Sequence, residues 1–263
     1  MLLVVLYFGL LGLLIGSAIN ALVWRLYVGR KWTKGRSECP ECHHVLAAKD
    51  LVPVVSWVLL GGKCRYCKAP IHIQYPVVEA VTSGLFALSL AQLMPVTVQQ
   101  WLMFGLWLAV LTALIILAVY DLRWMLLPDK VMGPAIGLAT VLLLLRVWET
   151  HSWVAARGPV LAALVTAGAF FGLVVVTRGR AMGGGDIKLM FLMGLLLGLR
   201  GMAVALLLAF NVAAAVGVAL IVSKRKRRRD HIPFGPFLAG ATVVAYLYGG
   251  QIVDWYLRLN GLG

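Results

Sequence analysis

Acidic residues are scarce in this 263-residue chain: 10 Asp and Glu stand against 24 Lys and Arg. Charged residues make up 13% of it, whereas soluble domains carry about 25%. An ordinary soluble fold is thereby excluded. Cysteine is limited to four positions, all between residues 39 and 67, which excludes a chain-wide disulfide framework. Residues 1–24 are apolar but lack a basic leading segment, and no small-residue cleavage pattern follows them. They are expected to form a retained membrane helix rather than a removed signal. A dinucleotide fingerprint following a strand is missing, and no Ser/His/Asp set stands out; His72 and His231 have no nucleophile at motif spacing and are read as structural.

What is present is hydrocarbon. Apolar residues make up 62% of the chain and the mean hydropathy is +0.92. Stretches long enough to cross about 30 Å of bilayer core fall near 3–24, 76–94, 101–120, 131–148, 158–177, 187–199, 202–222 and 236–255. The expected class is an all-α polytopic membrane protein of about eight transmembrane helices, with a small cytoplasmic zinc-ribbon-like loop. Its segments would be a first helix (1–28), a zinc-binding loop (29–75) and a transmembrane core (76–263).

Charge gives the orientation. Alternate connections hold 20 of the 24 basic residues; the other side has only Arg146, Arg157, Arg200 and Arg258. The positive-inside rule puts the basic loops in the cytoplasm and both termini outside. The run Lys224-Arg225-Lys226-Arg227-Arg228-Arg229 is read as a topology anchor touching anionic lipid, not as a nucleic-acid site.

The cysteines form two Cys-x-x-Cys pairs, Cys39/Cys42 and Cys64/Cys67, separated by 21 residues. Two such pairs complete a tetrahedral sulfur site for Zn²⁺. A closed four-sulfur site leaves no open position, so the metal would be structural. It would fold a loop that lacks a core of its own. Two disulfides or unused thiols are the plainer alternatives; a reducing cytoplasm disfavours the first. His43 and His44 are taken as bystanders, and Trp57 and Tyr66 are expected to pack on the loop or the membrane surface.

Two carboxylates stand at span ends. Asp121 closes the third span, and Asp186 opens the sixth in Gly183-Gly184-Gly185-Asp186-Ile187-Lys188. Acids at membrane depth are costly and mark function. Two that share one proton make an aspartyl protease. The glycines allow positive φ and close backbone approach at a sharp turn. The helix dipole would stabilise the anion at Asp186 and disfavour it at Asp121, which points to Asp121 as the proton holder. The competing readings are an ion-coupled transporter, which also uses acids and broken helices, and a plain structural role in which Asp186 is a helix cap. Asp129, after Pro128, is read as an N-terminal cap of the fourth span. Glu79, inside the second span, needs a partner; Arg25, Arg65 and Lys188 are the candidates.

These pieces together resemble the bacterial type IV prepilin peptidases, or leader peptidase/N-methyltransferases. The resemblance is carried by Gly16-Ser17-Ala18-Ile19-Asn20 with Arg25, the cysteine tetrad, Tyr75-Pro76-Val77-Val78-Glu79, Asp121 with Leu127-Pro128-Asp129, Gly183 to Lys188, and Pro233-Phe234-Gly235-Pro236-Phe237. It implies removal of a basic leader after a glycine, at the cytoplasmic face of the bacterial inner membrane. The prepilin or pseudopilin would then be methylated at its new N-terminus from S-adenosylmethionine. Asp121 and Asp186 take the catalytic positions, with Gly183, Gly185 and Lys188 as the supporting turn. Cys39, Cys42, Cys64 and Cys67 take the zinc positions, and Glu79 is the candidate for the cofactor region. A peptidase without the methyl-transfer step is the nearest alternative. The first motif departs from the usual Gly-Ser-Phe-Leu-Asn form, which bears on substrate range.

Overall fold

A computed structural model describes residues 2–31, 35–179, 182–224 and 232–261. Arg180, Arg225 to Arg229 and His231 lie outside the described residues, so the basic run is represented by Lys224 alone. The chain divides into two compact units, Met1–Val96 and Thr97–Gly263. Among the described residues there is no β-strand, only two isolated bridges in the cysteine loop.

The first unit packs α1 (Leu2–Tyr27) on α3 (Gln74–Leu93), with the cysteine loop and the short α2 (Val55–Leu59) between them in sequence. Helices in lipid gain little from apolar burial against each other, so they associate where small residues let backbones approach. Gly12 and Gly16, one turn apart, do this here. A Cβ at Gly12 would lie 2.7 Å from the Ser83 Cα, and one at Gly16 would lie 2.6 Å from the Glu79 Cα. The Ser83 hydroxyl then donates to the Gly9 carbonyl at 2.8 Å. The division expected from sequence assigned the segment from residue 76 to the core. In the structure α3 belongs to the first unit, because its small-residue contacts are with α1.

The second unit holds α4 (Val98–Trp124), α5 (Asp129–Thr150), α6 (Val154–Val176), α7 (Gly184–Val222) and α8 (Gly235–Leu259). Among the described residues, seven helices are long and apolar enough to span a membrane. One of them reverses. Gly198 has φ 65° and ψ −176°, a region open essentially to glycine alone. Gly185, near the start of α7, meets Leu127, just after α4. Toward the other end of α7, Gly217 meets Ile232, just before α8. Between them Gly198 faces Pro159 and Gly201 faces Gly249, near the opposite ends of α6 and α8. Residues 184–197 therefore run out roughly 21 Å and residues 199–222 run back roughly 36 Å at 1.5 Å per residue. α7 thus consists of two arms, and the short sixth span expected from sequence is the outward one. Gly198→Ala is expected to lower stability by about 1–3 kcal/mol, the cost of forcing a side chain into that backbone region; thermal unfolding in detergent measures it.

Candidate functional site

Asp121 lies on the last turn of α4 and is 6% exposed. The helix closes at Met125, in the left-handed conformation with φ 53°, whose N–H returns to the Asp121 carbonyl. The Asp121 carboxylate accepts the Gly235 N–H through Oδ2 at 2.9 Å. Gly235 is the first residue of α8. A Cβ there would lie 2.8 Å from that oxygen, so a side chain would expel the contact. The sequence reading missed this donor. Its signal was a glycine between Phe234 and Pro236, where a helix start offers backbone N–H groups to an anion.

Asp186 is the third residue of α7 and half-buried. Its Oδ2 accepts the Gly183 N–H at 3.2 Å, the reach-back of an N-terminal capping acid. None of Gly183, Gly184 and Gly185 has positive φ. That freedom is used earlier, at Arg178 (φ 52°) and Gly179 (φ 73°). The glycine that matters for the site is Gly185: a Cβ there would stand 2.9 Å from the Leu127 Cβ. The close contact brings the start of α7 against the turn that follows Asp121. Asp121 and Asp186 thus stand at helix ends that this contact joins.

Asp129 is not the side-chain cap expected. Pro128 takes the cap position of α5 without a side-chain hydrogen bond. Asp129 instead receives the Lys188 ammonium at 2.6 Å. Both side chains are exposed, so the pair adds little stability, but it joins the first turns of α5 and α7 beside the aspartates.

The cysteine loop is built from two matching knuckles. In each, the first cysteine donates its N–H to the carbonyl five residues on: Cys39 to His44 at 3.0 Å, Cys64 to Ala69 at 2.8 Å. In each, the residue after the second cysteine donates back: His43 to Cys39 at 2.9 Å, Lys68 to Cys64 at 3.0 Å. His43 (φ 56°) and Lys68 (φ 63°) both turn left-handed to do so. The four sulfurs fall within 4.8 Å of one another, with Cys39 and Cys67 at 3.9 Å. Sulfurs about 2.3 Å from one tetrahedral ion lie at such separations. Burial pushes the Cys64 thiol up, but the Cys67 and Tyr66 N–H groups aimed at it outweigh this and bring it to about 7. At Cys67 the Ala69 N–H favours the thiolate, yet burial and the sulfurs of Cys64, Cys42 and Cys39 hold it up at about 12. Four thiolates crowded this closely need a cation, and the donor set fits a metal ion. All four are free cysteines, not disulfides.

The rest of the loop supports the knuckles. The Arg65 guanidinium holds the Asp50 carboxyl below the usual carboxylate range, despite partial burial, and the Tyr66 hydroxyl also donates to it, at 2.9 Å. Tyr66 packs tilted against His44, with ring centroids 3.6 Å and planes 34° apart. Trp57 donates to the Ile71 carbonyl at 3.1 Å and packs over Gly62. Both aromatics therefore pack on the loop.

Glu79 is buried, and its partners differ from those expected. Arg65 is engaged by Asp50 and Lys188 by Asp129. Glu79 Oε2 accepts the Val54 N–H at 2.7 Å, and the Ser17 hydroxyl is a second donor. Val54, a β-branched residue, is held at φ 61° to present that N–H, a conformation β-branched residues rarely adopt. Asn20, buried on α1 three residues after Ser17, donates to the Tyr75 carbonyl at 3.1 Å. The Gly16-Ser17-Asn20 motif thus joins α1 to the start of α3.

The bacterial peptidase A24 N-terminal domain matches residues 10–93, and the type IV leader peptidase family matches residues 108–218. The chain is 31% identical to a prepilin leader peptidase/N-methyltransferase of Bacillus subtilis, over 94% of this chain and 96% of that one. It is 33% identical to the Aeromonas hydrophila protein of the same name, over 96% and 94%. A Stutzerimonas stutzeri relative, also so named, is 30% identical over 96% and 93%. No solved structure matches the chain.

Proposed function

Because the chain belongs to the type IV leader peptidase family, we propose that it processes prepilins or pseudopilins in two steps: proteolytic removal of the leader, then methylation of the new N-terminus. The observation that supports the first step is that Leu127 on Gly185 and Gly235 on Asp121 join the helix ends that carry Asp121 and Asp186 at one end of the second unit.

One carboxylate takes a proton from water, and the hydroxide oxygen bonds to the scissile carbonyl carbon. The protonated partner donates to the carbonyl oxygen as charge develops there. Collapse breaks the C–N bond: the departing amine takes a proton from the carboxyl that received it, and one hydroxyl of the tetrahedral intermediate returns its proton to the partner carboxylate. No acyl-enzyme forms. The Gly183 and Gly235 N–H groups orient the two carboxylates. The positive-inside pattern supports placing this end at the cytoplasmic face of a bacterial inner membrane, with basic loops against anionic lipid. A basic leader ending in the glycine after which it is cut would lie there, with the apolar helix that follows it among the spans. No nucleic-acid partner is proposed.

The tetrad Cys39, Cys42, Cys64 and Cys67 would hold a structural Zn²⁺. Purified protein is expected to carry about one zinc per chain. Cys64→Ser is expected to lose it and to unfold the loop, read by metal analysis and limited proteolysis. Four reactive thiols in a metal-free, folded wild type would contradict the assignment. S-adenosylmethionine would supply an electrophilic methyl group for the new α-amine. Glu79, with Val54 and Ser17 held against it, is the candidate to border that site.

Intact mass spectrometry of a prepilin-type substrate tests both steps. The product is expected to lose its leader and, with S-adenosylmethionine present, to gain one methyl, about 14 Da. A leaderless product without that gain would leave a peptidase alone. An untouched substrate would refute the proposal.

A further inference from the structure

A second centre lies in the second unit at the end of its helices away from Asp121 and Asp186, and the reaction proposed above does not use it. A cavity of about 280 Å³ opens where α7 reverses, between the ends of α5 and α8. Arg146, Arg200 and Asp254 line it. Arg146 and Arg200 are two of the four basic residues that the charge pattern assigns to the sparsely charged side.

Arg146 is built into the fold. It is half-buried; it donates from Nη1 to the Leu196 carbonyl at 3.3 Å and from Nη2 to the Tyr246 hydroxyl at 3.0 Å. Tyr246 in turn stacks on Trp107 with centroids 3.7 Å apart and planes 5° apart. The guanidinium thus caps the last carbonyls of the outward arm of α7 and keeps further N–H donors for the cavity. Arg200 stands in the first turn of the returning arm, where the helix dipole is positive. Gly201 and Gly249 leave the approach to the cavity without side chains. Asp254 is the one acid in the lining, and none of the three ion pairs among the described residues involves it, Arg146 or Arg200. The lining keeps an excess positive charge.

We propose that this cavity binds a phosphate-type anion, between the Arg146 and Arg200 guanidiniums and the start of the returning arm. Two guanidiniums offer forked donors to tetrahedral oxyanions. A broken helix in a membrane presents its half-helix N-terminus to anions in the same way. The volume suits a headgroup or free phosphate, below the 300–1,000 Å³ or so usual for drug-sized ligands. The anion would close the reversal at Gly198 by bridging α5 to the returning arm.

The test uses the full-length chain in neutral detergent, following the thermal midpoint during titration with phosphatidylglycerol, phosphatidylcholine or inorganic phosphate. Wild type is expected to show a saturable rise with phosphatidylglycerol that phosphatidylcholine does not reproduce. Arg200→Gln, exposed and remote from the aspartates, is expected to weaken the apparent affinity by about tenfold, the loss of one charge-assisted contact. Arg258→Gln removes the same charge on the same side outside the cavity and is expected to titrate like wild type. A rise with inorganic phosphate as large as with the lipid identifies a free anion; a rise with the lipid alone identifies a headgroup. Identical titrations of wild type and Arg200→Gln, or no response to either phosphate source, would overturn the proposal. Cleavage is measured separately, so failure here leaves the peptidase reading untouched.

Discussion

Asp121→Asn is expected to abolish leader cleavage while leaving the protein folded, and Asp186→Asn is expected to do the same. Asparagine keeps the shape of the side chain and an oxygen acceptor. In the first variant that oxygen still receives the Gly235 N–H, and in the second it still receives the Gly183 N–H. Helix ends and packing therefore survive. The missing capacity is proton exchange: an amide neither takes a proton from water nor gives one to the carbonyl oxygen. Groups that act as one unit lose nearly everything when either is removed, so the rate should fall by roughly 10⁴-fold or more. Single-turnover cleavage and the thermal midpoint, measured together, separate lost chemistry from lost fold. A transporter or a structural role for these acids predicts proteolysis that is absent in wild type as well, or unchanged in the variants.

Gly194→Ala is expected to have the largest effect on the fold for a single methyl group. A Cβ at Gly194 would lie 2.3 Å from the Ala163 Cα and 2.4 Å from its backbone nitrogen. Both are backbone atoms of α6 and cannot rotate aside. The outward arm of α7 would have to move away from α6, and that arm carries Asp186. Overpacking at a rigid contact costs about 3 kcal/mol or more, and in lipid no hydrophobic gain offsets a lost close approach. Both the thermal midpoint and cleavage should drop. Gly240→Ala is the control: it lies mid-helix with no atom within 4 Å of its Cβ position, so it should be neutral or slightly stabilising.

The spans were legible because hydropathy over a bilayer's thickness is a strong one-dimensional signal. The short segment at 187–199 was legible for the same reason. That its end is a glycine reversal became clear only from the contacts of Gly185, Gly198 and Gly217. The four cysteines announced their cluster by spacing, since a Cys-x-x-Cys turn dictates its own local geometry. Partnerships were harder. The Gly235 N–H on Asp121, the Val54 N–H on Glu79 and the Lys188–Asp129 pair each join residues distant in sequence, and no periodicity predicts such pairs. Glu79 was expected to find a basic partner, Arg25, Arg65 or Lys188, and its donors in the structure are the Val54 N–H and the Ser17 hydroxyl. The cap reading of Asp129 failed because Lys188 competes for the same carboxylate. Gly12 and Gly16 carried a readable small-x-x-x-small signal for helix contact that the sequence reading passed over.

The account stands on Asp121 and Asp186 working as one dyad, and the most direct measurement is the cleavage rate of wild type, each Asn variant and the double variant on one prepilin-type substrate. A dyad predicts that either single variant loses about as much as the double one, a strongly non-additive result. Single variants that retain substantial cleavage, with losses that multiply in the double variant, would contradict it.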